Sequence, residues 1–482
     1  MCYNSFNSIS PEELYAMRFQ MKHLVFPVRK ACKVLLNKKG SITMKHPTKQ
    51  PDTVNTYGYH QKDYAKFKEF AWKMLLSFGL TYMFFYNGRQ NINLVMTQMA
   101  EGLGSTTAAM GVVSSALFWC YAFGQLINGR LGAYFGYKRF MMFGVASSAV
   151  LNVVISFQHS IPVIAVLWGL NGFCQSMVWA NGLGVLNKWW PKKQRGFASG
   201  LATAFSGMAQ VVTYLTILLC MEMNPEWGWR SAFRFPMIPM VLMLIAFAFL
   251  FKEKPEDVGL QPFEEEDKAA AERDAALSAE IEKKGFLYPY KVLFSEPKVL
   301  VFCLISAIAG IGRYGLLTWV PTYFTEALGL SIKEGIFSSI LLPFGQACAM
   351  FVFPLITDKV FKGKREPMLA LASIVTFFGL ITFPFIKEQF PASMMLLVVG
   401  ISGMVTGVIW AVAGDMGGRA FSSTIVGTLD WAVYMGAAVQ ASAFGFLKDT
   451  FGWPAIFVTI GCLYIVMLVL TLLARKMKMK KL

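Results

Sequence analysis

A chain of 482 residues that is 55% hydrophobic and only 15% charged, with 42 Phe and 28 Met, carries far more apolar material than a soluble protein of its size. Its formal net charge of +17 would suggest nucleic acid in a soluble protein, but the basic residues gather at the ends of apolar runs. That is the pattern of membrane flanks, so the expected partner is a lipid bilayer and nucleic-acid binding is excluded.

In chain order, residues 1–70 form a basic extension of mixed polarity without the charged start, apolar core and small-residue cleavage site of a signal peptide. Its segment LVFPVRKACKVLLNKKG fits an anionic membrane surface or a disordered tail equally well, and no function is assigned to it. At roughly 20 residues per crossing, twelve spans follow, near 71–98, 108–134, 140–157, 161–187, 197–221, 231–251, 299–324, 336–356, 368–386, 392–414, 422–446 and 455–473. Residues 252–298, with EEED and AAAERDAALSAEIEKK, read as a solvated linker containing a short amphipathic helix. The predicted fold is therefore an all-α membrane protein: one six-helix half over 71–251, a linker, a second half over 299–473 and a basic tail over 474–482.

Lys138, Arg139, Lys188, Lys192, Lys193, Arg195, Lys359, Lys362, Lys364, Arg365 and Arg419 lie in even-numbered loops, whereas odd loops hold only Arg230, Lys333, Lys387 and Lys448. The positive-inside rule then places both termini in the cytoplasm of a multi-pass protein of the cell membrane. Six of the eight cysteines lie inside apolar segments with no CxxC or His/Cys spacing, which reads as packing. No metal or other cofactor is expected, and a monomer is.

Two charges break this pattern. Arg89, in YMFFYNGRQNINLVM, and Arg313, in ISAIAGIGRYGLLTW, stand 224 residues apart, and the basic loops GYKRF and VFKGKRE repeat at nearly the same offset. Each arginine thus occupies the same place in the first helix of its half, and repeats related about the membrane normal set such residues across a central path. Counting about 1.5 Å per residue places Arg89 roughly 27 Å and Arg313 roughly 21 Å from the start of their spans. A guanidinium at that depth is costly unless it meets a cavity or a counter-charge, and it suits bidentate binding of an oxyanion. The expectation is a carrier for an anion.

The deep acid is Asp430, in IVGTLDWAVYMGAA, with Asp415 nearer the end of the tenth span. Asp430 has three roles open to it: pairing with an arginine, carrying a proton, or binding a cationic part of the substrate. His23, His46, His60 and His159 all lie outside the spans, which excludes a histidine proton relay. Asn87, Gln90, Asn91 and Asn93 around Arg89, and Tyr314 and Trp319 beside Arg313, suit a hydrophilic cavity but equally suit interhelical packing and interface anchoring. The glycines of GLNGFC and WANGLG have no preceding strand and no GK[ST], so they are packing sites and not a phosphate loop. No nucleophile, metal cluster or carboxylate pair can be assembled around one site, so an enzyme is not expected.

The two-half plan with basic 2–3 and 8–9 loops resembles the major facilitator superfamily. IGRYGLLTWVPTYF (311–324), NGRQN, WWPKKQRG, EKPEDVGL, LITDKVFKGKRE and FGW resemble its organophosphate:phosphate antiporters, such as the glycerol-3-phosphate and hexose-phosphate transporters. That resemblance implies that Arg89 and Arg313 hold the phosphoryl group of an organophosphate exchanged for inorganic phosphate, while the halves rock about them. Where the glycerol-3-phosphate transporter has two lysines and a histidine, this chain has Gln90, Gln125 and Ser206; Ala133 replaces an aspartate of the 2–3 loop motif, and Asp358 is kept. The implied binding set is Arg89, Arg313, Gln90, Gln125, Ser206, Tyr314 and Asp430, less positive than the relative's and suited to an anion of lower net charge or a zwitterion. A non-transporting organophosphate receptor and a proton-coupled symporter using Asp430 are the alternatives.

Overall fold

The structure, a computed structural model, describes residues 59–261, 276, 283–285, 288–362, 364–417 and 422–477. All belong to one compact unit, Val54–Leu482. The membrane-surface reading of the extension, the linker's acidic segment and the end of the basic tail lie outside them.

Among the described residues every regular element is helical. Each predicted span corresponds to helix. We number them α1 (pieces Gln61–Phe85, Tyr86–Gly88, Asn91–Leu94 and Met96–Gly102), α2 (Thr107–Phe135), α3 (Tyr137–Ile155), α4 (Ile161–Gln175 and Trp179–Trp189), α5 (Lys192–Met223) and α6 (Pro225–Arg230, Ser231–Arg234 and Met237–Leu250) in the first half. The second half holds α7 (Pro297–Glu326), α8 (Ile332–Ser339 and Leu341–Lys359), α9 (Glu366–Thr382 and Phe383–Phe385), α10 (Gln389–Gly403 and Thr406–Gly417), α11 (Ser422–Phe451) and α12 (Trp453–Lys476). Nine of these, all but α1, α8 and α11, are long and apolar enough to cross a bilayer by length and composition. The fold is that of two six-helix bundles.

Two boundaries differ from the sequence reading. α1 begins at Gln61, so ten residues assigned to the extension are helical, and α12 runs on to Lys476, into the tail. Charged first and last turns hide such ends from hydropathy, because lysine and glutamate are good helix formers that simply project into the polar zone.

Sharp local chemistry sets the connections. Thr106 caps α2 by accepting a bond from the Ala109 N–H at 3.2 Å, and a reciprocal Ser331–Glu334 capping box starts α8. Gly136, at φ +88°, turns α2 into α3 without a loop, a conformation a Cβ would resist.

The apolar core is divided. One cluster runs through the second half and into the first, joining Leu94, Met99, Phe118 and Tyr214 to Trp319, Phe324 and Phe444. A second, from Tyr59, Phe67 and Met74 to Trp189, Phe247 and Leu260, is confined to the first half near the face where α1 begins and α12 ends, which we term the terminal face. Three cross-half contacts lie at the opposite, distal face: Thr97 Oγ1 to Thr325 Oγ1 at 3.1 Å, Lys448 Nζ to Thr107 Oγ1 at 2.5 Å, and an ion pair of Lys333 with Glu222. Lys448 also pairs with Glu326 at 3.1 Å. The distal face is closed.

α2 and α11 run antiparallel along this interface, with Gly111, Tyr121 and Gln125 of α2 meeting Ala441, Tyr434 and Asp430 of α11 in turn. Within the second half, α7 and α11 approach backbone to backbone: a Cβ on Gly310 would lie 1.9 Å from the Val433 carbonyl oxygen and one on Gly436 2.1 Å from that of Ala307. This contact sits one turn from Arg313 and one residue from Tyr434. We expect Gly310→Leu to overpack it at a cost of about 1–3 kcal/mol. The measurement is the Tm of the detergent-solubilised protein, which falls; an unchanged Tm would contradict the backbone contact.

Candidate functional site

Arg89 and Arg313 both lie at mid-depth, but on different backbones. α7 is continuous for 30 residues, so Arg313, roughly 24 Å along it, projects from a regular helix. α1 is not continuous. It tightens to a 3₁₀ turn at Tyr86–Gly88 and loses helical geometry at Arg89, whose φ and ψ are −127° and −33°. The sequence NGR is the cause: glycine and asparagine are weak helix residues, and a short 3₁₀ piece inside a helix marks such a break. The repeat predicts equivalent positions for the two arginines; their depth agrees and their local structure does not.

Both guanidiniums are buried, Arg89 at 1% and Arg313 at 5% exposure. Tyrosines surround them. The Arg89 Cζ lies 4.1 Å from the ring centre of Tyr121, 5.1 Å from Tyr86 and 5.2 Å from Tyr434, and Arg313 stands 5.1 Å from Tyr314. Arg89 Nη2 donates to the Tyr434 hydroxyl at 2.8 Å, and the Tyr314 hydroxyl donates to the same oxygen at 2.9 Å. Tyr434 therefore accepts two bonds and keeps its own proton for a third partner. Ring contacts of Tyr121 with Tyr434 at 4.2 Å and Phe118 with Tyr314 at 5.1 Å close the assembly across the two halves.

This cage is not a substitute for a counter-ion. Arg89 Nε and Nη1 and Arg313 Nε have no hydrogen-bond partner. Among the described residues no ion pair reaches either arginine. Asp430 is bonded instead to Gln125, whose Nε2 donates to Oδ2 at 2.8 Å, one turn closer to the terminal face than the Tyr121–Tyr434 contact. Of the three roles open to Asp430, a direct pair with an arginine is the one this geometry does not contain. Buried N–H donors without acceptors, in a ring of aromatic faces, suit an oxyanion brought from outside.

The structure brings together Arg89, Arg313 and Tyr314, and joins Ser206 to them through Tyr86, with the two hydroxyls 3.4 Å apart. Gln125 and Asp430 form the adjoining layer. Gln90 turns away: its Oε1 accepts from Asn93 Nδ2 at 2.8 Å, and Asn93 in turn accepts from Ser114 of α2, so Gln90 belongs to the packing of α1 on α2 while its Nε2 stays unpartnered. Sequence reasoning missed Tyr86, Tyr121 and Tyr434. A signal existed: Tyr121 lies one turn before Gln125 and Tyr434 one turn after Asp430, on the same helix faces.

The model of the Major Facilitator Superfamily matches residues 78–439, most of the chain. The chain belongs to the major facilitator superfamily. It is accordingly a multi-pass membrane transporter and not an enzyme. Among curated proteins this facilitator is 23% identical to the probable hexose phosphate transport protein of Chlamydia pneumoniae, over 82% of the chain and 89% of that protein. It is 22% identical to the glycerol-3-phosphate transporter of Bacillus subtilis, over 84% and 93%. Among solved structures, a bacterial homologue of the human lysosomal transporter Spinster superimposes with a TM-score of 0.71 at 13% identity, covering 84% of this chain and 97% of that one. That likeness bears on the fold alone.

Tyr434→Phe keeps the ring but deletes the oxygen that receives Arg89 and Tyr314. With two buried donors left open, we expect a loss of about 1–3 kcal/mol of stability, read as a lower Tm of the ligand-free facilitator; an unchanged Tm would mean that the bonded chain is not formed.

Proposed function

We propose that this facilitator carries a phosphorylated small organic anion, of the glycerol-3-phosphate or sugar-phosphate type, in exchange for inorganic phosphate by alternating access. One observation carries the reading: an arginine from each half is buried in a single tyrosine cage with N–H donors that have no acceptor and no acidic partner. A phosphoryl group supplies several acceptor oxygens, and arginine meets them through parallel, charge-assisted bonds. The names of the relatives support phosphate as the anion.

In this reading Arg89 and Arg313 grip the phosphoryl oxygens, the hydroxyls of Tyr434 and Tyr314 complete the grip, and Gln125 and Ser206 meet the rest of the substrate. Asp430 lowers the net positive charge, which favours a substrate of modest negative charge or one carrying a cationic group. The basic residues of the even loops support a terminal face, and both termini, on the cytoplasmic side of the cell membrane. The distal closure through Lys448, Thr107, Lys333 and Glu222 then seals the outer side.

The anion bridges the halves and neutralises two charges that repel when the site is empty. It can shift the equilibrium between access states only by binding the occluded state better than the open ones. Slow reorientation of the empty carrier makes exchange obligatory.

Arg89→Lys and Arg313→Lys, reconstituted in liposomes preloaded with phosphate, are expected to lose phosphate exchange at least about a hundredfold while expression persists, because an ammonium cannot reproduce the bidentate grip. Near-normal exchange by either would sink the assignment. Binding of glycerol phosphate or hexose phosphates without any flux in the wild type would make the protein a receptor. Asp430→Asn is expected to retain exchange with no dependence on an imposed pH gradient; gradient-driven uptake in the wild type that this variant abolishes would establish proton symport instead.

A further inference from the structure

The break in α1 frees two main-chain acceptors beside Arg89. In an unbroken helix the Arg89 N–H would bond Phe85 O; here it bonds Tyr86 O at 2.9 Å, and the helix restarts only at Asn91. In a membrane such carbonyls must find donors within the protein. They find them on α3 and α4. Gly88 O accepts from Asn171 Nδ2 at 2.7 Å and from Asn152 Nδ2 at 3.2 Å, and Phe85 O accepts from Gln175 Nε2 at 3.3 Å.

These amides are themselves fixed. Ser148 Oγ donates to Asn171 Oδ1 at 2.6 Å and Asn91 Nδ2 donates to Asn152 Oδ1 at 2.8 Å, so the oxygens of Asn171 and Asn152 are engaged elsewhere and their NH₂ groups are turned to the Gly88 carbonyl. Ser148 also receives Gln175 at 2.9 Å. Asn152, Asn171 and Ser148 are fully buried and Gln175 is 1% exposed. A Cβ at position 88 would lie 2.9 Å from Asn152 Nδ2, so only glycine lets the backbone come this close.

We infer that Asn171, Asn152 and Gln175 are positioning residues that hold α1 open at Gly88 and thereby set the direction of the Arg89 guanidinium. The proposal rests on the reading of Arg89 as an anion ligand. It assigns a task to polar groups that touch neither arginine and that line a plane of packing between helices. Because α7 is unbroken, the second half has no need of an equivalent set, and Arg313 is positioned by the helix itself.

The test uses the full-length carrier in detergent with inorganic phosphate as the probe. Asn171→Leu and Gln175→Met keep side-chain size and remove the donor. Asn128→Leu removes a comparable buried amide, which bonds Phe173 O at 3.2 Å and Ser176 Oγ at 2.6 Å between α2 and α4 and donates to no carbonyl of α1. We expect Asn171→Leu to raise the Kd for phosphate at least about tenfold, Gln175→Met to raise it less, and Asn128→Leu to leave it within about twofold while lowering Tm. Hydrogen–deuterium exchange of the peptide over residues 84–94 should rise in Asn171→Leu and Gln175→Met and stay at the wild-type level in Asn128→Leu. Equal loss of affinity in Asn128→Leu and the two α4 variants, or wild-type affinity in Asn171→Leu, overturns the proposal. A wild-type carrier that binds neither phosphate nor a phosphate ester fails the anion reading alone; positioning is then read from the exchange of residues 84–94, and no rise there overturns it. Should Asn171→Leu not fold, Gln175→Met decides on the same two readouts.

Discussion

Two guanidiniums held in a low-dielectric interior without a carboxylate dominate this molecule. An isolated buried cation costs several kcal/mol, and the protein meets that cost with aromatic faces and hydroxyl oxygens, which are neutral. A carboxylate would have satisfied Arg89 and Arg313 more completely and left nothing for a ligand. Tyrosine is the compromise: its ring attracts the cation, its oxygen accepts one N–H, and the remaining N–H groups stay available. Placing Asp430 one turn away, engaged by Gln125, keeps an acid in the neighbourhood without cancelling the site.

That arrangement explains why the halves meet as they do. Tyr434 is the joint, since its single oxygen receives Arg89 from the first half and Tyr314 from the second. It is held there by the close approach of α7 to α11 at Gly310 and Gly436. The same α11 faces α2 through Tyr121 and Gln125, so one helix carries the contact between halves and part of the cage. Packing and site are therefore not separable on α11, whereas on α1 they are: there the site residue sits at a break and the packing is supplied by amides from α3 and α4.

Much of this was legible in the chain. Hydropathy located twelve spans because a bilayer imposes a length on every crossing, and the arginine offset exposed the repeat because both copies keep a charge where charge is costly. Helix ends were less legible: the charged turns from Gln61 and to Lys476 look like loop to any apolar window. Gln90 misled for a different reason, since a residue next to Arg89 in sequence need not share its direction once the helix is broken between them. The tyrosines were invisible because aromatic residues are common in spans, and only the turn-to-turn spacing from Gln125 and Asp430 separates Tyr121 and Tyr434 from lipid-facing or core rings. Asn152, Asn171 and Gln175 could be read from sequence only as polar glue; which carbonyl each amide serves depends on the break.

The division of the apolar core has a thermodynamic side. The cluster around Trp189 and Phe247 belongs to the first half alone, while the other joins both halves at the distal side. Any movement that parts the distal face must hydrate apolar surface, and the hydration of such surface raises the heat capacity. A state with the distal face parted would then differ in heat capacity from the closed one, so the balance between them would curve with temperature instead of following a single enthalpy, and cooling would weaken the force that keeps the distal side shut.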